Sequence, residues 1–219
     1  MTALGTQIVH LCAAVLLMLT FAMLTQRRIL SLIHLYTLQG ATLVVATVVV
    51  AYLSRQTHLY VSAALTLALK VVAIPFILHR VIDRLNVGWD IETLIAIPTM
   101  MLAGIVLVVF AFNLTIPIAA MSSSVARGAL GIGLACVLLS FMMMFTRAKA
   151  VPQVIGFLLM ENGLFFAATT ATHGIPLVVE LGIALDVLLG LLILGVFMFQ
   201  IRAQFDSLDM RHLERLKDE

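Results

Sequence analysis

Charge is what this chain has least of. Asp, Glu, Lys and Arg make up 11% of its 219 residues, against 63% for the AVILMFWYC set. A soluble core of that composition would leave too little polar surface to cover itself, so a water-soluble domain is excluded. Cysteine is nearly absent: Cys12 and Cys136 stand alone in separate apolar runs, with no C-x-x-C pair and no cysteine–histidine cluster. Iron–sulfur, zinc and haem-attachment readings therefore have no ligand set to start from, and no cofactor is expected in this chain. Basic patches and aromatic arrays are missing and the formal net charge is only +2, so no nucleic-acid partner is expected. No Pro-rich, Ser-rich or charged linker appears. No basic stretch precedes the first apolar run, and Arg27 and Arg28 follow it instead, so the run reads as a permanent span and not a cleaved leader.

What is present is apolar length, enough for about seven spans of roughly 20 residues. The pattern predicts spans over 5–25, 29–53, 59–78, 91–112, 125–145, 151–170 and 175–200. The fold class is thus an all-α, polytopic integral membrane protein with about seven transmembrane helices. Pro152 and Pro176 fall in first helical turns, where a missing N–H costs nothing, and Asn86, Gly88 and Asp90 supply turn chemistry before the fourth span.

Positive charge then orients the chain. Arg27 and Arg28 follow the first span, Arg80 and Arg84 the third, Arg147 and Lys149 the fifth, and Arg202, Arg211, Arg215 and Lys217 the seventh. All of these fall on one side of a seven-span layout, leaving only Arg55 and Arg127 on the other. By the positive-inside rule the expected location is the inner (cytoplasmic) membrane, multi-pass, with the N-terminus outside and the C-terminus cytoplasmic. In 201–219, Phe205, Leu208, Leu213 and Leu216 alternate with acids and bases. That segment reads as a cytoplasmic amphipathic helix, lying at the headgroups or docked on a soluble partner.

Against this background a few ionisable residues stand out. An ionisable group near the bilayer centre costs about 2.5–3.5 kcal/mol on insertion scales, normally met by a protein interior, a water-filled cavity or a partner charge. Glu161 lies near the centre of the sixth span, where a carboxyl can load and release protons; the structural alternative is a protonated carboxyl that only hydrogen-bonds a neighbouring helix. Glu180 and Asp186 lie in the seventh span, about 9 Å apart along the helix axis and about 240° apart around it. They do not share a face, which argues against a metal site or paired-carboxylate catalysis. Asp186 sits between Gly182 and Gly190, a small-residue stripe that permits close helix approach, while Glu180 could instead be interfacial. Lys70 is too deep in the third span to snorkel easily. Thr66 lies one turn earlier, and Pro75 cannot donate to the carbonyl of Val71, leaving a free acceptor and an expected kink. Lys70 can hold positive charge against a carboxylate or lose its proton when that partner is neutralised; the alternative is a static interhelical ion pair. His34 and Gln39 in the second span could extend a polar path, or be satisfied packing residues. With no clear internal repeat, deep acids plus a deep base fit a proton relay better than solute transport.

The segment Pro152-Gln153-Val154-Ile155-Gly156-Phe157-Leu158-Leu159-Met160-Glu161-Asn162-Gly163 resembles the corresponding stretch of hydrogenase-4 component E. So does Leu177-Val178-Val179-Glu180-Leu181-Gly182-Ile183-Ala184-Leu185-Asp186, and the Lys70-x-x-x-x-Pro75 element is similar as well. Spans five to seven also resemble the three-helix K-type small subunit of complex I and the corresponding C-type subunit of multisubunit cation/proton antiporters. That subunit carries a glutamate in its second helix and another in its third, which by position match Glu161 and Glu180; Asp186 is an extra acid. The resemblance divides the chain into a four-helix segment (1–124), a three-helix K-type-like segment (125–200) and the cytoplasmic tail (201–219).

Such a resemblance implies an accessory, non-catalytic subunit in the membrane arm of a membrane-bound [NiFe]-hydrogenase or complex I-like oxidoreductase. It would help couple electron transfer to proton or sodium translocation. Implied partners are antiporter-like large membrane subunits and the soluble-arm subunits, which would hold the nickel–iron and iron–sulfur centres. Glu161, Glu180 and Asp186 would be acid/base stations, with Lys70 tuning or relaying. Two alternatives stay open: a purely structural membrane subunit, and a subunit of a multisubunit cation/proton antiporter without a redox arm.

Overall fold

The computed structural model describes residues 3–85, 93–119 and 124–171, together with the helical positions Gly182 and Gly190. Its elements are α1 (Ala3–Thr25), α2 (Ile29–Ser54), α3 (His58–Thr66), a π-helical segment (Leu67–Ala73), α4 (Ile74–Leu85), α5 (Ile97–Ala119), α6 (Ser124–Thr146) and α7 (Ala150–Ala171). There is no strand among the described residues, only one backbone bridge between Thr93 and Arg147. Among the described residues six helices are long and apolar enough to cross a membrane, α3, the π segment and α4 counting as one continuous span. The chain is an all-α polytopic membrane protein. The seventh expected span, 175–200, lies outside the described residues except at Gly182 and Gly190.

Helix α2 stops at Arg55, whose backbone adopts the left-handed conformation (φ 54°, ψ 33°) and returns its N–H to the Ala51 carbonyl. This satisfies an orphan acceptor at the helix end and lets α3 start within a few residues as an antiparallel neighbour. The third span carries the distortion expected near Pro75. Ahead of the proline the Ile74 N–H bonds the Leu69 carbonyl five residues back, a widened π turn in place of a simple kink.

One boundary departs clearly from the sequence pattern. The fourth span was expected from residue 91, yet α5 starts at Ile97. The preceding stretch is apolar, but its backbone is captured elsewhere: the Leu94 N–H donates to the Thr146 carbonyl at 2.9 Å, and Thr93 pairs with Arg147. The chain thus bridges to the end of α6 at Thr93 and bends at Leu94 and Ile95 before entering α5, with Pro98 in the first helical turn.

Helices α1, α2, α7 and α6 form a ring in which each packs on the next; the third span lies outside α2, and α5 outside α6 and α1. The tightest seam is α6–α7, where glycines bring backbones together. A Cβ at Gly133 would stand 2.5 Å from the Ala167 Cβ, and one at Gly163 would stand 3.0 Å from the Cys136 Cβ. Close backbone approach of this kind stands in for the hydrophobic driving force that lipid removes. Helix α5 is at the other extreme: 22% of its span is buried against 61% for α7, and Leu102, Ile105, Val106, Val109 and Phe110 point outward, as suits a lipid-facing helix.

Inside the ring are two apolar layers. One gathers Met23, Leu24, Ile33, Tyr36, Leu139, Met143 and Leu158. The other gathers Cys12, Leu16, Leu43, Ala46, Phe165 and Phe166. On α1, α2 and α7 the residues between these layers are Thr20, Gln39, Glu161 and Asn162, all buried. The fold places a thin polar layer at mid-bundle, with apolar packing on both sides of it.

Candidate proton-handling site

Lys70 reaches this polar layer from the π segment. Thr66, Lys70 and Ile74 are all buried on one strip of the third span. The strip comes close to α2 because position 40 is glycine: a Cβ there would sit 3.3 Å from the Cβ of Lys70. The ammonium forms an ion pair with the Glu161 carboxylate, both side chains being sealed from solvent. It also donates to Asn162 Oδ1 at 2.6 Å and lies 5.7 Å from the centre of the Phe165 ring, within cation–π range.

Beyond Asn162 the contacts continue across the ring. Asn162 Nδ2 donates to Gln39 Oε1 at 3.0 Å, Gln39 Nε2 to Thr20 Oγ1 at 3.0 Å, and the Thr20 hydroxyl to the Leu16 carbonyl at 2.8 Å. Cys136 Sγ lies 3.6 Å from the same hydroxyl. Every bond in this arm points the same way, starting at Lys70. Both amides turn an oxygen toward the ammonium side, which lowers the cost of keeping the charge out of water.

The two halves of the site have different chemical capacities. Between Lys70 and Glu161 a proton can transfer directly: an ammonium and a carboxylate become an amine and a carboxylic acid, and the reverse restores the ion pair. The Asn162–Gln39–Thr20 arm contains no group that titrates in this way, so it positions Lys70 and does not carry protons. Two further hydroxyls, Ser62 Oγ and Thr169 Oγ1, are buried with no partner among the described residues. Ser62 precedes Lys70 by eight residues and Thr169 follows Glu161 by eight. On antiparallel helices that sets both about 12 Å from the ion pair and at one depth.

Of the residues singled out from sequence, Lys70, Glu161 and Gln39 come together. His34 does not: it lies on the exposed side of α2, five residues before Gln39, against the His79 ring. Five residues turn a helix by about 140°, so the two side chains leave on different faces. Glu180, Asp186 and the tail 201–219 lie outside the described residues. Part of the expected small-residue stripe is present, since a Cβ at Gly182 would stand 2.7 Å from Phe165 Cδ2. Gly190 differs, having nothing within 4 Å of that position, so its lack of a side chain serves no close contact with the described residues.

Asn162, Thr20 and Arg147 were not anticipated as buried polar centres. Arg147, expected only as one of the basic residues that orient the chain, is 1% exposed. Its Nη2 donates to the carbonyls of Met23 (3.1 Å) and Leu24 (2.7 Å), satisfying the C-terminal end of α1, while Gln153 Nε2 holds the Arg147 carbonyl at 2.8 Å. Burial pushes the guanidinium below its usual value.

No protein-family model matches the chain, and no solved structure matches it. Rv0085, an uncharacterized protein of Mycobacterium tuberculosis, is 29% identical over 212 residues, which is 96% of this chain and 96% of that protein. The similarity therefore runs through both halves of the chain and is not confined to the α6–α7 region.

Proposed function

We propose that this chain is an accessory membrane-arm subunit of a membrane-bound hydrogenase or complex I-like oxidoreductase, in which Lys70 and Glu161 exchange a proton as part of ion translocation. The observation that carries this reading is a solvent-sealed ammonium–carboxylate pair at mid-bundle, mounted on a π segment. π insertions inside helices are frequent at functional sites, and ionisable groups inside the membrane mark proton and ion pathways more often than packing. A proton would enter along the third span and α7, past the buried hydroxyls of Thr66, Ser62 and Thr169, and Glu180 and Asp186 would supply the next stations. The nickel–iron and iron–sulfur centres would belong to partner subunits. Proposed orientation follows the basic residues: inner membrane, N-terminus outside, C-terminus cytoplasmic.

The test is proton translocation by the assembled complex in proteoliposomes. Glu161→Gln keeps shape and hydrogen bonding but removes titration, and Lys70→Met removes the donor; both are expected to abolish coupled proton uptake while the subunit still assembles. Normal translocation in Glu161→Gln and in Asp186→Asn would refute the relay.

A second reading, in which the chain is structural, is favoured by the non-titrating Asn162–Gln39–Thr20 arm, which joins α7, α2 and α1. On that reading Glu161→Gln assembles and translocates normally, and Asn162→Leu disrupts assembly.

A further inference from the structure

We infer that His34 and His79 form a binding site for a borderline-soft divalent cation, of which Zn2+ is the best-matched member. The pair is independent of the proton-handling layer. His34 is exposed on α2, five residues after the helix begins, and His79 is partly exposed on α4, next to the exposed Arg80 that ends the third span. Both therefore sit near one end of the bundle, His34 about 7.5 Å into its span and His79 one residue from the end of its own. Their ring centres are 5.7 Å apart with planes inclined at 61°, an edge-on arrangement and not a stack.

That separation suits a shared metal. With Zn–N bonds of about 2.0–2.1 Å and a tetrahedral angle, two imidazole centres on one ion stand roughly 5–5.5 Å apart. Both rings would have to turn a nitrogen toward that shared point, which the exposed position of His34 on α2 permits by side-chain rotation. His79 is also prepared for ligation. Its Nδ1 lies 2.8 Å from the Pro75 carbonyl oxygen. A carbonyl can only accept, so Nδ1 carries the hydrogen and Nε2 presents its lone pair. A backbone carbonyl behind a ligating imidazole is the outer-shell arrangement that fixes ring and tautomer in metal sites.

Two neutral nitrogen donors with open coordination positions select Zn2+, Cu2+ or Ni2+ over the oxygen-seeking Mg2+ and Ca2+. The carbonyl that orients His79 belongs to Pro75, two residues beyond the π segment that carries Lys70. A bound cation would thus tie α4 to α2 beside the distorted turn.

The experiment is Zn2+ titration by calorimetry on the full-length chain in detergent micelles, with Mg2+ as the comparison ion. The expected result is saturable Zn2+ binding with no Mg2+ binding. It should weaken by about tenfold or more in His34→Ala and in His79→Ala, since each removes one of two ligands, and remain unchanged in His10→Ala. Electron paramagnetic resonance of the Cu2+-loaded wild type should show two imidazole nitrogens, falling to one in His34→Ala. Zn2+ binding that is absent from the wild type, or equally tight in both histidine variants, would overturn the proposal. So would a Cu2+ spectrum unaltered by His34→Ala.

Discussion

Lys70 and Arg147 are the two largest buried cations among the described residues, and the fold answers them in opposite ways. Lys70 lies mid-span and faces a carboxylate and an amide oxygen on α7. Arg147 lies just past the end of α6 and faces two backbone carbonyls at the C-terminal end of α1. A carbonyl at a helix end offers fixed partial charge and takes no proton, so Arg147 is a permanent cation used as a cap. A carboxylate can take the proton, so the charge on Lys70 is conditional on the state of its partner. Buried cations paired to backbone hold a bundle together; a buried cation paired to a titrating group can also do chemistry.

Mutation separates the two kinds. The largest effect is expected at Lys70→Met, which leaves the Glu161 charge without its cation and costs about 3–5 kcal/mol, whereas Lys70→Met combined with Glu161→Met recovers most of the loss. Denaturant unfolding in mixed micelles, run as a double-mutant cycle, measures the coupling. Arg147→Met should cost less, about 1.5–3 kcal/mol for charge-assisted bonds to two carbonyls, and amide exchange should locate the loosening at the end of α1. The smallest effect belongs to Asn162→Leu, about 1–2 kcal/mol, because it removes the link between Lys70 and Gln39 but leaves the ion pair. If Arg147→Met instead behaves like Lys70→Met in translocation assays while Lys70→Met behaves as a packing defect only, the comparison is reversed.

Much of this could be read from residues alone because depth in the membrane is a one-dimensional property. Lys70 and Glu161 were conspicuous for being charged at mid-span, Gln39 for being polar there, and Pro75 for the missing donor that goes with a distorted third span. Pairing is not one-dimensional. Nothing in the spacing says that α7 sits where Lys70 can reach Glu161, or that Asn162 beside Glu161 turns toward Gln39 while His34 turns outward. The burial of Arg147 was not legible from its place after the fifth span, because a charge at a helix end snorkels outward or folds back inward according to which carbonyls lie beside it, and those belong to α1. The start of α5 was placed too early for a related reason: Leu94 and Ile95 read as helix, yet the end of α6 claims the backbone of Thr93 and Leu94 first.

Infrared difference spectroscopy of the assembled complex during turnover tests the central claim most directly. If Glu161 accepts and releases a proton, a carboxylic acid C=O band should appear and decay with turnover, shift on 13C-glutamate labelling, and be missing from Glu161→Gln. A spectrum with no carboxyl change, or one identical in Glu161→Gln, would contradict it.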